Sequence, residues 1–330
     1  MEPIRFDNIL NFRDVGDLVN RYTGSKKMKT GLLYRSARPD NASEKDRDLL
    51  LNTYKINTII DLRTKSEHIQ QAQKRNNNTT NKTSPNTPTT SDAAISHLSA
   101  PEPLAPSNNA AATPLKIPGI TYSEINFNGG SYSWALIKKL RYTSTAKLLY
   151  LMATGYRIQA ISILGKEVMS ERGLVGLAED SVEHCTSEVR AVFGVLDPLL
   201  SQSSSSTTTT TAAAAAAEQT SWPILVHCTQ GKDRTGLVIL LILLLLRVDA
   251  PAIKADYILS QEELKPEREE RLHEIREIGL PDGFADCPED WIERVAAYVK
   301  DKYGGVERYL SETCGVDEEV QRRVREVLLA

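Results

Sequence analysis

Apolar positions along this chain fall into two rhythms. Short β-branched runs closed by polar residues read as buried strands: NTIIDLR (Asn57–Arg63), GLLYRSARP (Gly31–Pro39) and the Ile224–Val226 stretch. Longer stretches with apolar residues at helical spacing read as helices. NASEKDRDLLLNTYKI precedes the strand at Thr58–Ile60 and reads as a helix. Ser43 is placed to cap it, with Asp46 or Glu44 in its first turn. TGLVILLILLLL, from Thr235 to Leu246, is apolar on every face and predicts a buried helix. Structure resumes near GITYSEINF, and two or more helices follow between Ser131 and Leu200, among them SWALIKKL, STAKLLYLMATGY and a run ending SEVRAVFGVLDPLL. The C-terminal third is helical, with solvated charged faces, as in SQEELKPEREERLHEIREIG.

Two tracts break the pattern. Residues 71–113 are rich in Asn, Thr, Ser and Pro and have almost nothing to bury, which predicts a disordered surface insertion. Residues 201–220 are a Ser/Thr run followed by alanines. The alanines favour helix, and the Ser/Thr run argues against a packed element. Lengthening a surface loop costs only about 0.6 kcal/mol per doubling. Neither tract therefore needs to divide the fold, and the strands at Thr58–Ile60 and Ile224–Val226 are expected to share one sheet. The expectation is a single domain over residues 1–330.

Composition narrows the function classes. The chain has 330 residues, 41% of them hydrophobic, and a formal charge of -3. That suffices for a sizeable core and lacks the basic excess of a general nucleic-acid binder. The cysteines, Cys185, Cys228, Cys287 and Cys314, form neither a disulfide framework nor a zinc spacing. The N-terminal MEPIRFDNILNFRDVG has no apolar signal core, and the run Leu237–Leu246 is too short to span a bilayer. A cytoplasmic location is expected, which would leave the sequons around Asn78 and Asn81 idle.

The candidate chemistry sits in PILVHCTQGKDRTGLVILLILLLL (Pro223–Leu246), with a strand before the loop and a buried helix after it. Backbone N–H groups converge where a tight loop enters a helix, and the helix dipole favours an anion there. Gly231 lets the loop turn where a side chain would crowd. The donors that hold phosphate also favour a thiolate at Cys228. Arg234 presents a planar fork to two phosphate oxygens. The roles that follow are Cys228 as nucleophile, Arg234 as clamp, Thr235 as a donor easing thiolate departure, and His227 as an orienting group. Thr229, Gln230, Gly231 and Lys232 would line the bound phosphate. The bland alternative, a structural cysteine beside a helix cap, leaves Lys232, Asp233 and Arg234 unexplained between two apolar elements. A nucleotide P-loop fails on spacing.

VHCTQGKDRTG resembles the active loop of the cysteine-dependent tyrosine phosphatases. More narrowly, it resembles the atypical tyrosine/serine phosphatases of bacteria and fungi, a group with a secreted mycobacterial member. The likeness extends to NFRDVG (Asn11–Gly16), GLLYRSARP, IIDLRTKSE (Ile59–Glu67) and YGGVERYLSETCGV (Tyr303–Val316). It implies one α/β domain, a three-layer fold with a mainly parallel central sheet flanked by helices, and a helical lid that residues 131–200 would supply. It also implies a phosphocysteine intermediate, no metal and no cofactor. The substrates implied are phosphotyrosine proteins, with phosphoserine/threonine and phosphoinositides as extensions.

The general acid stays open between Asp61, at a strand end, and Asp233, inside the loop, with Asp14 a weaker third. Asp61 could instead pair with Arg13 or Arg63, and Asp233 could brace the loop. Arg13, Arg35 and Arg63 each could line the pocket or support it. Lys232 would add charge for a second phosphate, or brace Asp233 or Glu67. A non-catalytic phosphate-binding adaptor, sulfur transfer and arsenate reduction are the rival functions. The oligomeric state is not legible.

Overall fold

The computed structural model describes residues 5–69, 71, 115–199 and 221–330. Residues 72–113 of the first tract, with its sequons, and all of the second tract lie outside the described residues. The elements run β1 (Arg13–Asp14), α1 (Val15–Thr23), β2 (Leu33–Ser36), α2 (Glu44–Asp48), β3 (Thr58–Asp61) and β4 (Thr121–Glu124). Then come α3 (Gly130–Ile137), α4 (Tyr142–Ala153), α5 (Arg157–Leu164), α6 (Ser170–His184) and α7 (Thr186–Leu196). The chain closes with β5 (Ile224–His227), α8 (Asp233–Leu245), α9 (Ala250–Glu263), α10 (Arg268–Glu277), α11 (Trp291–Tyr303) and α12 (Glu318–Leu328).

The sheet has five strands in the order β1-β2-β5-β3-β4, parallel throughout except for β1 against β2. β5 therefore lies between β2 and β3, and the two strands expected to share a sheet are direct neighbours. The chain has the mainly parallel α/β architecture that the family resemblance implies. Both faces are covered, which is why the strands read as continuous apolar runs. Alternate residues still separate cleanly. Leu33, Ile60, Ile224 and Val226 enter the large core with α8, while Tyr34, Ile59 and Leu225 enter a smaller core with Ile9, Leu50 and Ile120. The α8 helix is buried from Thr235 to Leu243, as its unbroken apolar run requires.

Two local details follow from single residues. Ser43 and Asp46 close a reciprocal capping box at α2, so Asp46 is the partner of the cap. The short strand β1, which the sequence pattern does not announce, places Arg13 opposite Arg35. Within residues 131–200, α6 and α7 give Val175, Ala178, Val182, Val189, Val192, Phe193 and Leu196 to the main core. α3 adds Tyr132 and Leu136 to the same core, while α4 and α5 give it no buried residue and α4 buries only Leu148.

Candidate active site

Parallel pairing aligns the strand ends, so Ser36, His227 and Asp61 lie side by side at the C-terminal edge of the sheet. The loop from Cys228 to Lys232 leaves this edge and enters α8. Open α/β sheets bind ligands at such an edge.

The loop is held by its carbonyls. His227 Nδ1 lies 3.1 Å from the Cys228 carbonyl. The Arg38 N–H donates to the Thr229 carbonyl at 3.1 Å. Asn11 Nδ2 donates to the Gln230 carbonyl at 2.9 Å and the Gly231 carbonyl at 3.2 Å. Arg35 Nη2 donates to the Gly231 carbonyl at 2.5 Å. In a planar trans peptide the N–H points opposite to the C=O. Tying these carbonyls outward to the scaffold therefore turns the N–H groups of Thr229, Gln230, Gly231 and Lys232 to the opposite, inner side. No side chain caps α8, so its first-turn N–H groups add to the same donor field. Gly231 is obligatory here. Its φ is +66°, and a Cβ would meet the Ser36 carbonyl oxygen at 2.0 Å.

The side chains holding the carbonyls are themselves anchored. Arg13 Nε donates to Asp256 Oδ1 at 2.7 Å, and Arg13 Nη2 donates to the Asp256 carbonyl at 2.7 Å and to Ser260 Oγ at 3.0 Å. Arg13 also donates to Asn11, and Arg35 donates to Asp256 Oδ2. Burial would raise the Asp256 carboxyl, and the two guanidiniums outweigh it and hold the group ionised. Arg13 and Arg35 thus stand behind the loop, as supports.

Arg234 is set by Glu67. Its Nη1 donates to Glu67 Oε2 at 2.6 Å and its Nη2 to Glu67 Oε1 at 2.5 Å. Nη1 also reaches the Leu62 carbonyl at 3.1 Å. The Thr229 hydroxyl donates to Glu67 Oε1 at 2.5 Å. Burial alone would raise the Glu67 carboxyl; Arg234 reverses this and holds it well below the usual carboxylate range. The capping-box spacing Thr64-x-x-Glu67 was the available signal for this residue, since the Thr64 N–H donates to Glu67 Oε2 at 2.9 Å. The pairing across 167 residues with Arg234 has no local signature.

Three candidate side chains, for which a pocket role and a bracing role both stood open, are engaged with protein partners. Arg63 is buried in an ion cluster, with Nη2 2.7 Å from Asp61 Oδ2 and Nη1 2.5 Å from Asp40 Oδ2. Asp61 is wholly enclosed and also accepts from the Arg63 N–H at 3.0 Å. Burial would raise its carboxyl, but His227, Arg63 and His68 together hold it well below the usual range. Lys232 is fully buried, and its Nζ donates to the carbonyls of Phe284 at 2.9 Å and Asp286 at 2.7 Å. Its charge is consumed by fixing the turn at Asp282–Ala285 against the loop.

Other side chains of the loop and the first turn of α8 carry polar atoms without hydrogen-bond partners among the described residues. Asp233 is half-buried, its Oδ1 lacks a hydrogen-bond partner, and Lys232 Nζ lies 3.5 Å away. The Thr235 hydroxyl and Gln230 Oε1 are buried without partners among the described residues. Burial lowers the His227 pKa, and the neighbouring Asp61 carboxylate opposes the shift. Cys228 is buried at the first position of the loop. Asp14 caps α1 through Asp17 and accepts from the Gly31 N–H at 2.5 Å, which occupies it structurally.

A loop that turns its amides to one side of a strand-end cysteine, with an arginine fixed by a carboxylate, defines an oxyanion-binding class of α/β protein. The sequence model described as "Tyrosine phosphatase family" matches residues 4–330, and the chain belongs to that family. One curated relative is "Triple specificity protein phosphatase PtpB" of Mycobacterium tuberculosis (strain ATCC 25618 / H37Rv), 28% identical over 123 residues. The match covers 32% of this chain and 44% of that relative's length.

Proposed function

We propose that this protein is a cysteine-dependent phosphomonoester hydrolase, with phosphotyrosine as the favoured substrate and phosphoserine/threonine as an extension. The observation that carries the reading is the outward fixing of the loop carbonyls from Cys228 to Gly231, which leaves a nest of N–H donors beside Cys228.

In the first step the Cys228 sulfur attacks as the thiolate. An S–P bond forms as the P–O bond to the leaving group breaks, and the leaving oxygen takes a proton from Asp233. The loop amides and Arg234 stabilise charge on the equatorial oxygens throughout. In the second step water attacks phosphorus, Asp233 accepts its proton and the S–P bond breaks, releasing inorganic phosphate and the thiolate. The unpartnered Thr235 hydroxyl is the available donor for the departing sulfur. His227 orients the loop through the Cys228 carbonyl.

Asp233 is preferred over Asp61 as the acid because Asp61 is locked to Arg63 and held ionised. Phosphoinositide hydrolysis is the second reading of substrate, supported by the name of the mycobacterial relative only as far as broad specificity. The buried Lys232 gives it no free cation. α4 and α5 are the segments left to act as a lid, because α6 and α7 are part of the core.

The deciding experiment is hydrolysis of a chromogenic aryl phosphate, then of a panel of phosphopeptides and phosphoinositides. Cys228→Ser should abolish turnover and still bind a phosphopeptide. A variant that kept its rate would remove the nucleophile assignment, and wild type without turnover would favour the adaptor function.

A further inference from the structure

Residues 125–166 contain no aspartate or glutamate, yet carry Lys138, Lys139, Arg141, Lys147, Arg157 and Lys166. The chain as a whole is net acidic at -3, so the asymmetry is local. The same stretch builds α3, α4 and α5. On α4, Tyr142, Ala146, Leu149 and Ala153 repeat at helical spacing and all face solvent. Tyr142 is 89% exposed, Tyr150 67%, Trp134 53% and Leu149 50%. Met152 and Tyr156 extend the apolar surface. Scattered exposed apolar residues need no explanation, but a continuous exposed stripe such as the one along α4 marks a contact surface.

The cations interleave with the aromatic residues. Lys138 and Arg141 flank the turn between α3 and α4, and Lys147 lies on α4 itself; all are exposed. None of these three makes an ion pair among the described residues. Two acids approach from neighbouring elements, and one of them is ion-paired. Glu167 accepts from the Ser144 hydroxyl at 2.8 Å, and Asp180 is paired with Lys139 at 2.7 Å and with Arg172. This stretch therefore offers Trp, Tyr and Leu side chains together with the unpaired cations Lys138, Arg141 and Lys147, against the single carboxylate of Glu167 held at Ser144.

We propose that the α3–α4 face docks the protein on an anionic lipid surface. Tryptophan and tyrosine place an apolar ring and a polar handle at the depth where headgroups meet acyl chains. Lysine and arginine beside them reach the lipid phosphates, and their apolar stems lie along the boundary. A lipid surface meets both halves at once, with the apolar side chains at the acyl boundary and the cations at the phosphates. The inference is independent of the catalytic assignment, since it uses no residue of the loop.

The test is flotation of the full chain with vesicles of phosphatidylcholine alone and of phosphatidylcholine mixed with phosphatidylserine. Binding to the anionic vesicles should be at least roughly tenfold stronger and should weaken as salt is raised. Leu149→Ser/Tyr150→Ser should abolish flotation, and Lys138→Ala/Lys147→Ala should remove the preference for anionic lipid. These side chains are exposed, so the denaturant midpoint and circular dichroism of both variants should match wild type. Equal binding to both vesicle types, absence of flotation, or a Leu149→Ser/Tyr150→Ser variant that floats like wild type would overturn the proposal. So would a wild-type dimer in light scattering that this variant converts to monomer, because the face would then belong to a second copy of the chain.

Discussion

Glu67 decides how the Arg234 guanidinium is presented. Two parallel hydrogen bonds hold the fork from one side and leave the other edge for an oxyanion. Glu67→Gln should leave Arg234 in place and misaligned, lowering kcat/KM by about 100-fold, the scale of a 1 Å misplacement. The same residue carries a pH signature. Its folded pKa lies below its unfolded value, so its contribution to stability is present above that unfolded value, about 4.3. The contribution is lost as pH falls toward the folded pKa. Asp61 acts in the same direction, from about 3.9 downward. Unfolding midpoints measured from pH 6 to pH 3, as a titration range of about three units, should fall on the acid side. The fall should be shallower in Glu67→Gln.

Asp233 belongs to the same scale. If it supplies the leaving-group proton, Asp233→Asn should slow aryl phosphates with poor leaving groups most and leave the best ones nearly unchanged. A rate series against leaving-group pKa reads this directly, and a uniform loss would return the residue to a bracing role.

At the scale of elements, the loop depends on pieces far apart in sequence. Strand β2 supplies Arg35, the segment before β1 supplies Asn11, and α9 supplies Asp256. Removing one partner of a buried ion pair costs about 3–5 kcal/mol. Asp256→Asn should therefore destabilise the fold by that order in denaturant unfolding, since Arg13 and Arg35 would both lose their counter-charge. Its effect on turnover should exceed what the loss of folded protein explains.

Much of this was legible from the sequence alone. Strands β2, β3 and β5, the helix that follows the loop, and the loop's own residues are written in local patterns of β-branched runs, turn glycine and continuous leucine. The supporting shell was not. Arg13 and Asp256 are separated by 243 residues, and nothing in the spacing of either announces the other. The ambiguity of Asp61 and Lys232 has the same source. A charged residue at a strand end or in a loop reads alike whether it faces substrate or a buried partner, and only the fold supplies the partner.

At the scale of the whole molecule, α8 is the beam on which the site stands. Its flanks are apolar all round, and Leu240 is fully buried. Leu240→Ala should cost about 2–5 kcal/mol through lost transfer energy and the cavity left behind. The denaturant midpoint should drop with its slope unchanged. The loop rests on the first turn of this helix, so the packing energy of the core and the geometry of the pocket share one element.

Strand order has a consequence for how the chain is made. The central strand, Ile224–His227, is flanked on both sides by strands from the first 61 residues. A ribosome delivers those two outer partners long before the strand that joins them, and each waits with open hydrogen-bonding edges. A product halted before residue 224 has no sheet to complete, so prematurely terminated chains of this protein should collect in the insoluble fraction, while full-length synthesis closes the gap in a single late event.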